Sequence, residues 1–389
     1  MKHATHTSPT ASHLAAALTV GSIAMLMVGV QPILLGALVD ARQLTLDGVG
    51  LLAMLEITMV GIGVALGGAL PLRRFRLIAI LASALAAVAD FGTVGSQTEI
   101  QFLVTRALAG LGEGIALWTS VSIIIRCPRP EPKAGLFMFV QTVAQAGFAG
   151  LLAALVLPAL SWHGGFAALA GASIVGAGLA LLFPLSLRRL EAAAISHSKW
   201  STTKALPLVV AFLQMAAIGA LWAYLEPLGQ AIGLGPEGAQ AVISAVLCAQ
   251  LAGSAAGALL VRRLGTTHGL AVSTLAIAAA ALAMHELSSG QFVLFAGFAM
   301  LFGAAWMFAL PFQVSLGFAC DPAGHVPALI PALQLLGVAF GPLIASTTVQ
   351  GNNARPAALV SSIFGALAIS LLTGSHRRIA AAVATARSS

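Results

Sequence analysis

Apolar runs of helix length alternate with short polar breaks along the whole 389-residue chain. About 20 apolar residues carry a helix across a bilayer. On that scale the pattern predicts spans over 14–39, 48–70, 77–94, 101–125, 136–160 and 166–185. After a polar stretch at 186–204, a second set runs over 205–228, 239–261, 269–284, 292–316, 326–349 and 356–372. The ninth span is short and Ala-rich. The expectation is an all-α membrane protein. Its twelve transmembrane helices form two six-helix bundles, 1–185 and 205–389, joined by a linker at 186–204.

A basic turn follows the second span, Gly68-Ala-Leu-Pro-Leu72-Arg73-Arg74-Phe75-Arg76. A weaker copy, Gly257-Ala-Leu-Leu-Val261-Arg262-Arg263-Leu264, recurs 189 residues later, after the eighth span. Gln145 and Gln334, and Gly114 and Gly303, share that offset. Single matches arise easily in an Ala/Gly/Leu-rich chain, and their agreement with the Arg-Arg offset gives them weight. One bundle built twice is how many secondary transporters are made.

Composition agrees. Charged residues make up 8% and hydrophobic residues 59%, with a mean hydropathy of +0.98. A soluble domain carries about a quarter charged residues, so the solvent here is largely lipid. Despite a pI near 10.2, the basic residues fall as short clusters between apolar runs, which excludes a nucleic-acid surface. Cys127, Cys248 and Cys320 show neither pairing nor ligand spacing, so no disulfide framework, metal or cofactor is expected. The first apolar run is long enough to span and reads as a retained helix rather than a cleaved signal.

Lys and Arg set the orientation. With the N-terminus cytoplasmic, sixteen basic residues lie inside: Lys2, Arg73, Arg74, Arg76, Arg126, Arg129, Lys133, Arg188, Arg189, Lys199, Lys204, Arg262, Arg263, Arg377, Arg378 and Arg387. Only Arg42 and Arg355 lie outside, and Arg106 falls within a span. The positive-inside rule then places both termini in the cytoplasm, with a bacterial inner membrane as the expected location.

Six plus six spans with a basic turn after the second and eighth resemble the major facilitator superfamily. That family's signature after helix two is Gly, three residues, Asp, basic, any residue, Gly, basic. Gly68, Arg73, Arg74 and Arg76 fit this gating turn, while Leu72 replaces the Asp and Phe75 the second Gly. The Asp helps latch the family's two bundles on the cytoplasmic side, so its absence here weakens that element. Span four carries a second family element, Phe102-x-x-x-Arg106-x-x-Ala109-Gly110-x-Gly112, with Ala109 where Gln is frequent. The span-five Gly-Pro motif of drug–proton antiporters is missing; a Gly341-Pro342 step occurs in span eleven instead. The resemblance covers nearly the whole chain and implies transport by alternating access.

A charge at the bilayer centre costs roughly 2.5–3.5 kcal/mol on insertion scales. Five such groups lie within spans: Glu56, Asp90, Arg106, Glu113 and Glu226. Arg106 and Glu113 are seven residues apart, about two turns along one face, a separation that direct contact would stretch to cover. Arg106 reads as an anion-binding or proton-coupling group, or as a buried ion pair with Glu56, Asp90 or Glu113 that fixes packing. Glu113 is the preferred proton carrier: burial opposes its charge and Arg106 favours it, which suits a group that changes charge during a cycle. A permanent pair with Arg106 is the rival use. Glu56 is a further coupling candidate. Asp90, in a span peripheral in the family, reads as a packing or outer-interface group. Glu226-Pro227 reads as an outer gate, a substrate contact or simply a helix stop.

Neutral polar groups add a candidate cavity lining: Gln31, Gln141, Gln145, Gln214, Gln313 and Gln334, with Tyr224 nearby. Buried amides equally serve as glue between helices. Trp118, Trp222 and Trp306 fall on spans that line the cavity in the family, whereas Trp162 and Trp200 read as interfacial anchors. Gly61, Gly63, Gly67, Gly68, Gly253 and Gly257 permit close helix approach.

The leading reading is a secondary active transporter of a small organic solute, proton-coupled, with a weak pointer from Arg106 to an organic anion. A monomer in a lipid bilayer is expected. A passive facilitator and an efflux transporter of amphipathic compounds are the near alternatives. A polytopic membrane enzyme lacks a catalytic cluster in the sequence, and no nucleotide-binding motif is present.

Overall fold

The computed structural model describes residues 9–187, 201–321, 324–351 and 353–375. The linker residues Arg188, Arg189, Lys199 and Trp200, and also Lys2, Arg377, Arg378 and Arg387, lie outside them. The first half of the chain forms α1 (Ala11–Asp40), α2 (Leu46–Ala69), α3 (Phe75–Val94), α4 (Glu99–Ile124), α5 (Pro130–Leu151) and α6 (Leu157–Leu179). The second forms α7 (Thr202–Trp222), α8 (Pro236–Leu260), α9 (Thr266–Glu286), α10 (Phe292–Cys320), α11 (His325–Ser346) and α12 (Arg355–Gly374). The fold class is all-α, and the chain is an integral membrane protein.

Among the described residues, eleven helical runs are long and apolar enough to cross a membrane. One of them, Pro132–Leu182, is 51 residues long. At a rise of ~1.5 Å per residue it would measure about 76 Å, more than twice a ~30 Å hydrocarbon core. The run breaks at Ser161, inside α6, where φ is 54° and ψ −162°, so it makes two passes that meet there, and the described residues make twelve in all. The ninth span is longer than its sequence pattern: α9 covers 21 residues.

Proline explains one other break. Span seven was expected to run on to residue 228, with Glu226-Pro227 near its outer end as a gate, a substrate contact or a helix stop. Instead α7 stops at Trp222, and Pro227 sits in the first turn of a new short helix, Leu225–Ala231. Pro227 has no N–H for the carbonyl four residues back, at Ala223, whereas a first-turn position needs no such bond. In α1 the helix is interrupted at Met25, and Pro32 lies inside the part that follows.

The chain divides into two compact units. One takes in the described residues of Met1–Val30 and Thr58–His197, the other those of Gln31–Ile57 and Ser198–Ser389. The segment Gln31–Ile57 thus groups with the second half of the chain. Within the first unit α3 packs on α4 and α6; within the second α9 packs on α10 and α12. The duplicated sequence pattern therefore recurs as a duplicated helix arrangement.

Close crossings depend on particular glycines. A Cβ on Gly63 of α2 would come within 2.5 Å of the Leu111 carbonyl on α4, and one on Gly67 would meet the Trp118 ring. Gly253 and Gly257 of α8 lie as tightly on the carbonyls of Ala304 and Phe308 in α10. Gly61 and Gly68 face open space, so their expected role in close approach does not hold.

Candidate functional site

In the first unit, the buried stripe of α3 runs Ala79, Ala82, Ala86, Asp90, the three- and four-residue spacing of one helix face. Gly112 of α4 lies on the backbone of Ala82 and Ala86. This close crossing brings Asp90 to Arg106. Arg106 Nη1 donates to Asp90 Oδ1 at 2.5 Å, and Nη2 stands 3.7 Å from Glu113 Oε1. Ser173 of α6 donates to Asp90 Oδ2 at 3.3 Å. The guanidinium carbon lies 5.3 Å from the Phe166 ring centre. All three ionisable groups are buried. Beside them a cavity of about 10 Å³ in the space open to a water's centre, lined by Ser83, Glu113, Ala116 and Ser173, has room for about one water.

Asp90, one of the partners weighed for Arg106, pairs with it. Glu113 also meets Arg106, although two turns separate them.

Other first-unit candidates make the following contacts. Gln145 of α5 donates to the Met25 carbonyl at 2.6 Å, the point where α1 is interrupted, and its side chain lies across Gly29. Gln141 is buried on the same helix. Trp118 makes an edge contact with Phe75 at 5.8 Å. Trp162, read as an interfacial anchor, is buried between Phe102 and Phe166. In the basic turn Arg73 and Arg74 are exposed. Arg76 Nε donates to the Phe183 carbonyl at 2.6 Å, and Leu187 N–H donates to the Leu72 carbonyl at 3.0 Å. The turn is thereby tied to the chain just after α6.

The second unit holds a directed chain of amides. Gln334 of α11 donates to Gln313 of α10 at 2.6 Å, and Gln313 donates to Gln214 of α7 at 2.6 Å. Gln214 donates to Thr274 of α9 at 3.0 Å and to Ser273 at 3.4 Å. Gln214 and Gln313 are buried, and Gln334 at the end of the chain is half-buried. Trp222 and Trp306 pack edge to face at 5.6 Å. Gln31 and Glu56 are also buried in this unit.

Glu226, in the short helix Leu225–Ala231, accepts from Gln240 of α8 at 3.1 Å. Gln230 donates to Asp40 of α1 at 2.9 Å. Near the start of α11, Asp321 Oδ1 pairs with Lys204 Nζ at 3.0 Å, and Oδ2 accepts from the Val326 N–H at 3.0 Å. Burial pushes the Asp321 carboxyl up, but the Val326 amide and Lys204 more than offset it and hold it below the usual carboxylate range.

Sequence reasoning missed Ser173, Ser273, Thr274, Asp40, Gln230 and Gln240. Each is a polar residue in or beside a span, which was the available signal; their pairing was not.

The arrangement of helices is similar to that of solved membrane transporters. Similar solved structures include a bacterial homologue of the human lysosomal transporter Spinster in an inward-facing, unoccupied conformation, with a TM-score of 0.74 and 15% identity over 95% of this chain and 97% of that one. The nucleoside transporter NupG matches at 0.71 and 13% identity, over 95% of this chain and 98% of its own. The xylose transporter XylE from E. coli, in a partially occluded inward-open conformation, matches at 0.69 and 14%, over 92% and 97%. No family sequence model matches the chain. No curated protein matches it in sequence.

Proposed function

We propose that this protein is a secondary active transporter that moves a small organic solute across the membrane by alternating access, coupled to protons. The observation that carries this reading is the Arg106–Asp90–Glu113 cluster, buried on membrane-spanning helices. Charged groups at that depth mark solute and proton pathways. Asp90, tightly held and further bonded by Ser173, anchors the guanidinium. Glu113, at the longer contact, is the carboxylate that a solute carboxylate would replace on Arg106. Once displaced, Glu113 takes up a proton, so solute and proton bind together. An organic anion is therefore the favoured solute class, with the amides of the second unit as hydrogen-bonding groups for the remainder of the solute. We place the protein as a monomer in a bacterial inner membrane with both termini cytoplasmic, on the distribution of Lys and Arg.

Uptake of labelled small carboxylates into proteoliposomes under an imposed pH gradient tests the proposal. The expected result is accumulation that follows the gradient, lost in Glu113→Gln and in Arg106→Ala. Uptake indifferent to the gradient, and unchanged by Glu113→Gln, would leave a passive facilitator. Normal transport of an anion by Arg106→Ala would remove the anion-binding role.

A further inference from the structure

Glu226 is fully buried, at 0% exposure. Its Oε1 accepts from Gln240, while its Oε2 has no hydrogen-bond partner among the described residues. The carboxyl rests on the bare backbone of Gly36 in α1, so closely that a Cβ on Gly36 would overlap it. Gln230 bridges to the neighbouring carboxyl, donating to Asp40 and also reaching Glu226. Titratable groups on the segments around this site include Asp40 on α1, Asp47 and Glu56 on α2, Tyr224 just before Glu226 and Glu237 at the start of α8. All five are acids. From α10 the site receives Phe295, against Gly229. Arg42, between α1 and α2, is exposed and makes no ion pair with Glu226.

An ionised Glu226 would be a buried charge with an unfilled oxygen, no paired cation among the described residues and other acids nearby. A neutral acid in the same place is far less costly. Neither Gly36 nor Gln240 demands the charge, since Gln240 donates to either form.

We infer that Glu226 is a second proton-binding group, which takes a proton from water as Leu225–Ala231 seats on Gly36 and returns it when that seat opens. The proton adds to a carboxylate oxygen as an O–H bond, leaving the side chain neutral; release restores the carboxylate and a hydronium ion. This rests on the proton-coupled reading above and adds a group in the other unit, apart from the Arg106 cluster.

Infrared difference spectra of the full chain in lipid, wild type minus Glu226→Gln, test the assignment near neutral pH. A protonated-carboxyl C=O band is expected, absent from the control difference against Glu99→Gln. Gly36→Ala should lose the same band, because its methyl group displaces the carboxyl. The inference is overturned if the Glu226 difference shows only a carboxylate band, or if Gly36→Ala keeps the C=O band. A chain that shows the band but transports nothing would lose the transport reading and keep this site. A proton-driven transporter without the band would lose only this site.

Discussion

Arg106 holds Asp90 on the neighbouring helix at 2.5 Å and Glu113 on its own helix at 3.7 Å. The two carboxylates therefore differ in role. Removing one partner of a buried pair costs about 3–5 kcal/mol, because the other charge is stranded. Asp90→Ala should lose that much, and Glu113→Gln about 1 kcal/mol, the scale of one net hydrogen bond. Unfolding of the purified variants in detergent measures both. A larger loss for Glu113→Gln would mean that Asp90 is not the anchor.

Gln145 on α5 and Gln334 on α11 are 189 residues apart, yet their partners differ. Gln145 holds the backbone carbonyl of Met25, whereas Gln334 ends a chain of side chains. Gln145→Ala should cost about 0.5–1.5 kcal/mol of stability. Gln334→Ala, at a half-buried terminus, should cost less and act instead on solute binding. Thermal unfolding with and without a stabilising solute separates the two effects.

Gly63 and Gly61 lie two residues apart on α2 with opposite surroundings. A methyl on Gly63 presses on the Leu111 carbonyl, and one on Gly61 meets nothing. Gly63→Ala should destabilise by roughly 1–3 kcal/mol through overpacking. Gly61→Ala should be neutral or stabilising by up to about 1 kcal/mol from helix propensity. Equal melting temperatures for the two variants would contradict the crossing described here.

Asp321 ties the start of α7 to the start of α11 through Lys204 and the Val326 amide. Its folded carboxyl is held below the ordinary value of 3.8. A depressed carboxylate stabilises the folded state above its unfolded value, and that contribution is lost as the pH falls through its folded value. Asp321→Asn should cost about 1–3 kcal/mol at neutral pH. The difference from wild type should vanish in strong acid, as a pH series of melting curves would show.

Much of the architecture was legible in the chain. Helix existence followed from apolar runs, since backbone groups in lipid must bond within their own helix. Boundaries shifted where local chemistry intervened, as at α7, which stops at Trp222 with Pro227 in the first turn of a new short helix. The fivefold choice of membrane-depth charges was legible as well: Glu56, Asp90, Arg106, Glu113 and Glu226 are all buried. Their pairing was not, because Asp90 and Arg106 meet only through the crossing of α3 on α4 at Gly112.

The sequence by itself determined the solvent, the number of crossings and the duplication, because hydropathy and the 189-residue offset are properties of the chain read in one dimension. Tertiary structure alone decided which polar groups share a partner. It gave Arg106 to Asp90, Gln145 to a backbone carbonyl and Gln334 to an amide chain, and it set Glu226 on the bare backbone of Gly36. Those contacts depend on how closely two helices approach and which faces they turn to each other, and bare glycine backbone sets both.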